Sequence, residues 1–196
     1  VEQVLLDVGT EDPVFLELME IRHRFFMGKS ERTLKAANGK IDVFHIGEDY
    51  GGQRGLLISP SSFEKLFAPK LKEYIDLGHK YGAKVMLHCC GSCRDIIPKF
   101  IELGLDILEE IQPDAARMDT EELYDEFYGK IVFCGSISAQ NLLPFGTVED
   151  VIKEVKKRKK LFSAGGMLIA PDHNIQVGTP IENIIAMYET IGSLNL

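Results

Sequence analysis

Short apolar runs alternate with longer amphipathic stretches along this chain, and this alternation constrains the fold more than any other feature. The runs predicted to be strands are residues 41–46, 84–87, 105–111, 131–134 and 167–170. Amphipathic stretches typical of helices separate them, and another precedes the first run, beginning at Asp12 and Pro13. Strands that alternate with helices form parallel βαβ units. We therefore predict an α/β fold with five parallel strands, in a single domain over residues 1–196.

Polar side chains follow the predicted strands. Parallel α/β folds place their functional groups in the loops after the carboxyl ends of the strands. The residues at these positions are Glu48, Asp49, His88, Cys90, Glu110, Gln112, Cys134, Ser136, Asp172 and His173. A closed (β/α)8 barrel needs eight strands and about 250 residues. Five strands in 196 residues therefore predict an incomplete barrel or an open sheet.

The composition excludes several classes of function. A net charge of −8 argues against a nucleic-acid surface, because phosphate binding needs clustered Lys and Arg. The one basic run, residues 153–160, is typical of a solvated helix face. No run of about 18 apolar residues occurs, so we expect no membrane span. Three of the four cysteines lie within five positions and no secretory signal begins the sequence, which predicts a cytoplasmic protein with a metal or redox site.

The stretch 84–95, KVMLHCCGSCRD, is where we expect the chemistry. Its apolar start reads as a buried strand, and Ser92 with Asp95 resembles a capping box that opens a helix. Side chains alternate along a strand, so His88 and Cys90 face the same way while Cys89 faces the other. Imidazole and thiolate are ligands that Zn²⁺ prefers. The pair therefore predicts two ligands of a zinc site.

A third zinc ligand has to come from another strand end. His173 and Cys134 are the two candidates, and the residues alone do not decide between them. A minor alternative is a thiol–disulfide oxidoreductase, because Cys90 and Cys93 form a CxxC motif at a predicted helix start. The other histidines, His23, His45 and His79, have no comparable neighbours in the sequence, so we expect surface or core roles for them.

Four segments, in this order, resemble the uroporphyrinogen decarboxylase superfamily. They are residues 46–92, 103–119, 133–151 and 168–189. The superfamily includes decarboxylases and zinc-dependent, cobalamin-linked methyltransferases. The resemblance implies that this chain is the C-terminal part of a TIM (β/α)8 barrel and lacks the first strands. It also implies unpaired sheet edges, with residues 41–46 as an edge strand, so we expect a homo-oligomer.

The methyltransferase branch is similar in carrying a His-x-Cys pair and a later Cys as zinc ligands. His88 and Cys90 match the pair, and His173 stands at the later position. The resemblance implies zinc, a small-molecule substrate, and a partner protein that supplies a methyl-corrinoid for transfer to a thiol or folate. Candidate catalytic residues are Asp49, Glu48 and His173, and candidate cofactor-binding residues are Gln53, Gln112 and Ser136. The alternative is a cofactor-free uroporphyrinogen decarboxylase of porphyrin biosynthesis.

Overall fold

The computed structural model describes residues 1–192. Its main sheet has five strands, β1 Val43–Gly47, β4 Lys84–His88, β5 Ile107–Ile111, β6 Val132–Ile137 and β7 Met167–Pro171. They lie in the order β1-β4-β5-β6-β7, and every neighbouring pair is parallel. A separate two-stranded hairpin, β2 Gly51–Gly52 and β3 Gly55–Leu56, follows β1. This arrangement confirms the α/β prediction and corresponds to part of a (β/α)8 barrel.

Helices connect the parallel strands. They are α1 Glu2–Thr10, α2 Pro13–Ala37, α3 Pro60–Ser62, α4 Ala68–Lys80, α5 Ile97–Leu103, α6 Thr120–Phe127, α7 Leu142–Phe145, α8 Val148–Leu161 and α9 Ile181–Ile191. A π-helical turn, Phe63–Phe67, joins α3 to α4. Pro69 explains this turn, because a proline ring would clash with the carbonyl group four residues earlier in a regular helix. No helix within residues 1–192 combines the length and hydropathy that a membrane span requires.

The two faces of the sheet differ. On the covered face, alternate strand residues pack beneath the helices and are at most 1% exposed, namely Val85, Leu87, Leu108 and Phe133. The opposite, open face carries His45, His88, Glu109, Cys134 and Leu168. Register pairs His88 with Glu109, Glu109 with Cys134, and Cys134 with Leu168, so these four side chains form one row across the sheet.

Strand β1 lies at the edge of the sheet, as predicted. Helix α2, which Asp12 caps by accepting hydrogen bonds from the backbone N–H groups of Val14 and Phe15, packs against α4. An apolar stripe on α2 remains exposed, and Phe25 in it is 63% exposed. The expected homo-oligomer stays a prediction, and light scattering over a dilution series measures it.

The predicted capping box at Ser92 is wrong. Gly91 adopts a left-handed φ of 74°, which turns the chain so that the Ser92 N–H donates to Gly52 O at 2.8 Å. Ser92 is thereby held in a bridge to the hairpin. The helix begins later, with a 3₁₀ turn at Arg94–Ile96, and Asp95 pairs with Arg117 instead of capping it.

Candidate metal centre

The turn after β4 is held in place by side chains from two neighbouring loops. Asp49 Oδ1 accepts a hydrogen bond from the Cys90 N–H at 2.9 Å. Gln112 Oε1 accepts one from the Gly91 N–H at 2.8 Å and one from Gln53 Nε2 at 3.2 Å. These bonds fix the backbone on both sides of the Cys90 side chain.

Glycines allow the hairpin and this turn to touch. A methyl group added at Gly51 would lie 2.6 Å from Cys90 O, and one added at Gly91 would lie 2.7 Å from Gly52 O. Real Cβ atoms do not approach backbone oxygens this closely, so neither glycine can be replaced without moving the backbone. The turn and the hairpin therefore occupy one fixed arrangement.

His88 and Cys90 meet on the open face, as the strand alternation predicts. Cys90 Sγ lies 3.2 Å from His88 Nε2. Burial, followed by the charge of Asp49, raises the pKa of Cys90 to about 12, so the thiol is protonated and donates to His88 Nε2. A metal ion between these atoms would replace that proton.

The other nitrogen of the His88 ring faces a carboxylate. His88 Nδ1 lies 3.2 Å from Glu109 Oε2, and it donates its proton there because the carboxylate can only accept. The Nε2 lone pair is therefore directed towards Cys90. Metal-binding histidines in proteins usually have such a carboxylate behind them, which fixes both the tautomer and the ring orientation.

His173 joins this pair from the end of β7. Ligand atoms of His88, Cys90 and His173 all lie within 4.8 Å of one another. Asp172 anchors the loop by accepting a hydrogen bond from the Ala139 N–H at 2.8 Å. The Asn174 N–H donates to His173 Nδ1 at 2.7 Å, which leaves the proton of the neutral ring on Nε2. His173 is within reach of a shared ion. Binding through Nδ1 would displace the Asn174 N–H, and binding through Nε2 would move the ring proton to Nδ1, so the Asn174 hydrogen bond breaks in either case.

Cys134, the alternative third ligand, lies beside Glu109 in the sheet. It is 8% exposed, and burial followed by the charge of Glu109 raises its pKa to about 11. Within residues 1–192 it is not part of either group of three metal-ligating side chains. The geometry therefore places His173 closer to the pair than Cys134.

Two glutamates lie beside His88. Sequence analysis placed Glu110 in the polar set at the strand ends, but it did not assign Glu109 to the site. Alternation would place Glu109 and Glu110 on opposite faces, but β5 contains a register shift between Glu109 and Ile111, and Glu110 has a left-handed φ of 71°. This bulge brings Glu110 Oε1 to 3.6 Å from His88 Nδ1. Burial, followed by the charge of Glu109, raises the pKa of Glu110 to about 8.

His45 also belongs to this region, which corrects the expectation of an isolated surface or core residue. Its Nε2 lies 2.7 Å from Glu109 Oε2, and its ring centroid lies 6.1 Å from that of His88. The pairing of β1 with β4 produces this proximity. Sequence analysis could have predicted this proximity only by deriving how β1 and β4 align in the sheet.

The remaining predicted site residues, Glu48 and Ser136, form no side-chain hydrogen bond with His88 or Cys90. Glu48 is directed away from the His88 cluster and forms an ion pair with Arg22 of α2 at 3.0 Å. It lines a cavity of about 270 Å³ between α2, β1 and α4, whose lining includes neither His88 nor Cys90. Ser136 lies at the end of β6, is 1% exposed, and its Oγ has no hydrogen-bond partner among the described residues. The catalytic and cofactor-binding roles of these residues stay predictions.

The CxxC interpretation finds little support in the geometry. Cys93 is fully buried in the main core together with Cys89, whereas Cys90 faces His88 on the open face. Reactive redox cysteines have lowered pKa values, and the pKa of Cys90 is raised. The motif also precedes the helix instead of forming its first turn.

The donors present fit a zinc ion. Three donor groups converge at the carboxyl ends of the strands: the His88 imidazole, the Cys90 thiol and the His173 imidazole. Glu109 holds the far side of the His88 ring. Nitrogen and sulfur donors of this kind are typical of zinc, and three protein ligands leave a fourth position for a substrate. The arrangement can therefore hold a metal ion and present it to the open face.

A solved structure shares this fold, and a family model matches the sequence. A methyltransferase from Methanosarcina mazei matches with a TM-score of 0.76 and 18% identity, over 97% of this chain and 52% of that one. This chain thus spans about half the length of that structure, and at this identity the likeness shows the fold alone. No curated protein sequence matches significantly. The family model of uroporphyrinogen decarboxylase (URO-D) matches residues 41–194, so the chain belongs to the uroporphyrinogen decarboxylase family.

Proposed function

We propose that the chain is the C-terminal part of a zinc-thiolate methyltransferase, which moves a methyl group between a corrinoid protein and a thiol or folate acceptor. The observation that carries this proposal is the convergence of ligand atoms from His88, Cys90 and His173 within 4.8 Å. Zinc bound there would hold an acceptor thiol as its nucleophilic thiolate near neutral pH.

The residues have distinct roles in this proposal. His88 and Cys90 bind the metal, and Glu109 holds the His88 ring through Nδ1. Asp49 fixes the Cys90 backbone by accepting a hydrogen bond from the Cys90 N–H. The same carboxylate lies 4.0 Å from His88 Nε2, which is close enough to orient a substrate bound beside the metal. His173 completes the ligand set once its hydrogen bond to Asn174 breaks.

The charges around the site favour methyl transfer over decarboxylation. Glu109 and Glu110 lie 3.2 and 3.6 Å from His88 Nδ1, and within residues 1–192 neither forms a salt bridge with Lys or Arg. A porphyrinogen brings several carboxylates of its own, which Glu109 would repel. Glu110, whose pKa is raised to about 8, adds to this repulsion mainly above neutral pH. A neutral or cationic small molecule suits the same surface.

We further propose that the complete domain is a closed barrel. The five strands leave β1 and β7 as edges, and Leu168 on the open face is 48% exposed. Sheet edges and apolar faces of this kind are normally covered. The missing strands would close the sheet around the His88 cluster and exclude water from it.

Metal content tests the proposal. Zinc-reconstituted wild-type protein should retain about one tightly held Zn²⁺, and Cys90→Ser should lose it because a hydroxyl replaces the thiolate. Cys134→Ser is the matched control, since it makes the same change at another thiol of the open face and should retain the ion. Equal zinc in the wild type and Cys90→Ser would contradict the ligand assignment.

The reaction is tested separately with zinc-loaded protein. Incubation with methylcobalamin and a thiol should remove the methyl group faster with the wild type than with Cys90→Ser, as followed by the corrinoid absorbance. Release of carbon dioxide from uroporphyrinogen, unchanged in Cys90→Ser, would favour the decarboxylase instead.

A further inference from the structure

We propose that His45, His88 and Glu109 form a second position for a divalent transition-metal ion, on the side of the His88 ring opposite Cys90. The inference shares His88 with the proposed zinc site but depends on different donor atoms. Ligand atoms of these three residues lie within 4.8 Å of one another. They come from three adjacent strands, β1, β4 and β5, so the sheet itself holds their spacing.

The Glu109 carboxylate is the centre of this group. Its Oε2 lies 2.7 Å from His45 Nε2 and 3.2 Å from His88 Nδ1. One oxygen therefore stands between two imidazole nitrogens from different strands. Two imidazoles and one carboxylate are a donor set suited to zinc, iron, cobalt, nickel and copper ions.

Acidic side chains around His45 and His88 favour the binding of a cation. Glu110 is 8% exposed, lies 3.6 Å from His88 Nδ1, and its Oε2 has no hydrogen-bond partner among residues 1–192. No Lys or Arg in that part of the chain forms a salt bridge with Glu109 or Glu110. The buried Glu110 side chain is costly as a carboxylate without a cation nearby, and a divalent ion beside it would offset that cost.

The side of the group facing away from the sheet is open. The His45 side chain is 51% exposed, so an ion bound there would keep positions for water or a substrate. Binding would move the His45 proton from Nε2 to Nδ1 and the His88 proton from Nδ1 to Nε2, so both rings stay neutral. When zinc already occupies the Cys90 side, the His88 ring would bridge the two ions as an imidazolate, so the second ion should be the weaker one.

Titration of the metal-free protein with Zn²⁺, followed by calorimetry, tests the second position. Wild-type protein should bind about two equivalents, and His45→Ala should lose the weaker one. His79→Ala is the matched control, because His79 Nε2 pairs with Asp106 at 2.6 Å in a similarly exposed site that has no second histidine. It should bind as the wild type does.

Titration with Co²⁺ separates the two positions. Only the Cys90 side can give a thiolate-to-cobalt charge-transfer band, which should survive in His45→Ala and vanish in Cys90→Ser, while Cys90→Ser keeps one band-free equivalent. A single equivalent in the wild type, unchanged in His45→Ala, would overturn the second position. Absence of the charge-transfer band in the wild type would overturn the zinc-thiolate proposal only. The second position is measured independently, by the number of Co²⁺ equivalents that His45→Ala loses.

Discussion

The covered and open faces of the sheet are built from alternate residues of the same strands, yet they serve different purposes. Leu108 on the covered face is fully buried in the main core, whereas its neighbour Glu109 faces two histidines. Cys89 and Cys90 divide in the same way. The comparison teaches that one backbone can support packing on one face and chemistry on the other, so substitutions should affect stability or metal binding according to the face they alter.

The largest expected effect is on stability. Leu108→Ala should lower the free energy of unfolding by about 3 kcal/mol, because it leaves a cavity in the core beneath the helices. Leu168→Ala makes the same change on the open face, where the side chain is 48% exposed, and should cost less than about 1 kcal/mol. Urea denaturation measures both, and equal losses would break the distinction between the faces.

Substitutions at the adjacent residues Cys89 and Cys90 should affect stability and zinc affinity separately. Cys90→Ser should weaken Zn²⁺ binding by about 100-fold or more and leave stability nearly unchanged, because it removes a ligand. Cys89→Ser should leave zinc affinity within about twofold and lower stability by about 1–3 kcal/mol, because a hydroxyl replaces a buried thiol. Both properties of both variants can be measured by competitive zinc titration and denaturant unfolding. Zinc loss in Cys89→Ser would show that the faces are coupled.

Asp106, at the amino end of β5, should make stability depend on pH. Burial acts to raise the pKa of Asp106, but hydrogen bonds from Lys84, the Val85 N–H and His79 outweigh it and lower the pKa. The folded state therefore binds fewer protons, so this stabilisation is present above the ordinary pKa of Asp, about 3.9, and is lost as pH falls through the lowered value. Asp106→Asn should cost about 2 kcal/mol at pH 7 and less at pH 3. A difference independent of pH would contradict this assignment.

The smallest expected effect is at His173. His173→Ala should reduce zinc affinity by about tenfold, less than the loss of Cys90, because His173 must first give up its bond from the Asn174 N–H. Cys134→Ser should change it by less than about twofold. Competition with a chromophoric chelator gives both values, and the reverse ranking would move the third ligand to Cys134.

The alternation of apolar and polar residues was enough to predict the five strands of the main sheet and the shared direction of His88 and Cys90. The edge position of β1 followed from the family resemblance instead. It could not predict the Glu110 bulge, since a register shift depends on pairing between strands and not on the pattern of one strand. The same limit hid His45, whose partner Glu109 is 64 residues away in sequence. The capping box at Ser92 failed because a contact with the distant hairpin outweighed a local preference.

The glycine contact between the hairpin and the turn after β4 has a consequence for redesign and recombination. Gly51 lies so close to Cys90, and Gly91 to Gly52, that neither loop can accept a sequence with a side chain at Gly51 or Gly91. Grafting a 47–56 loop that lacks Gly51 without changing the 88–92 loop should displace both metal-binding side chains. The two loops, distant in sequence, are one exchangeable module, and chimaeras that cut the chain between them should lose zinc even when they fold.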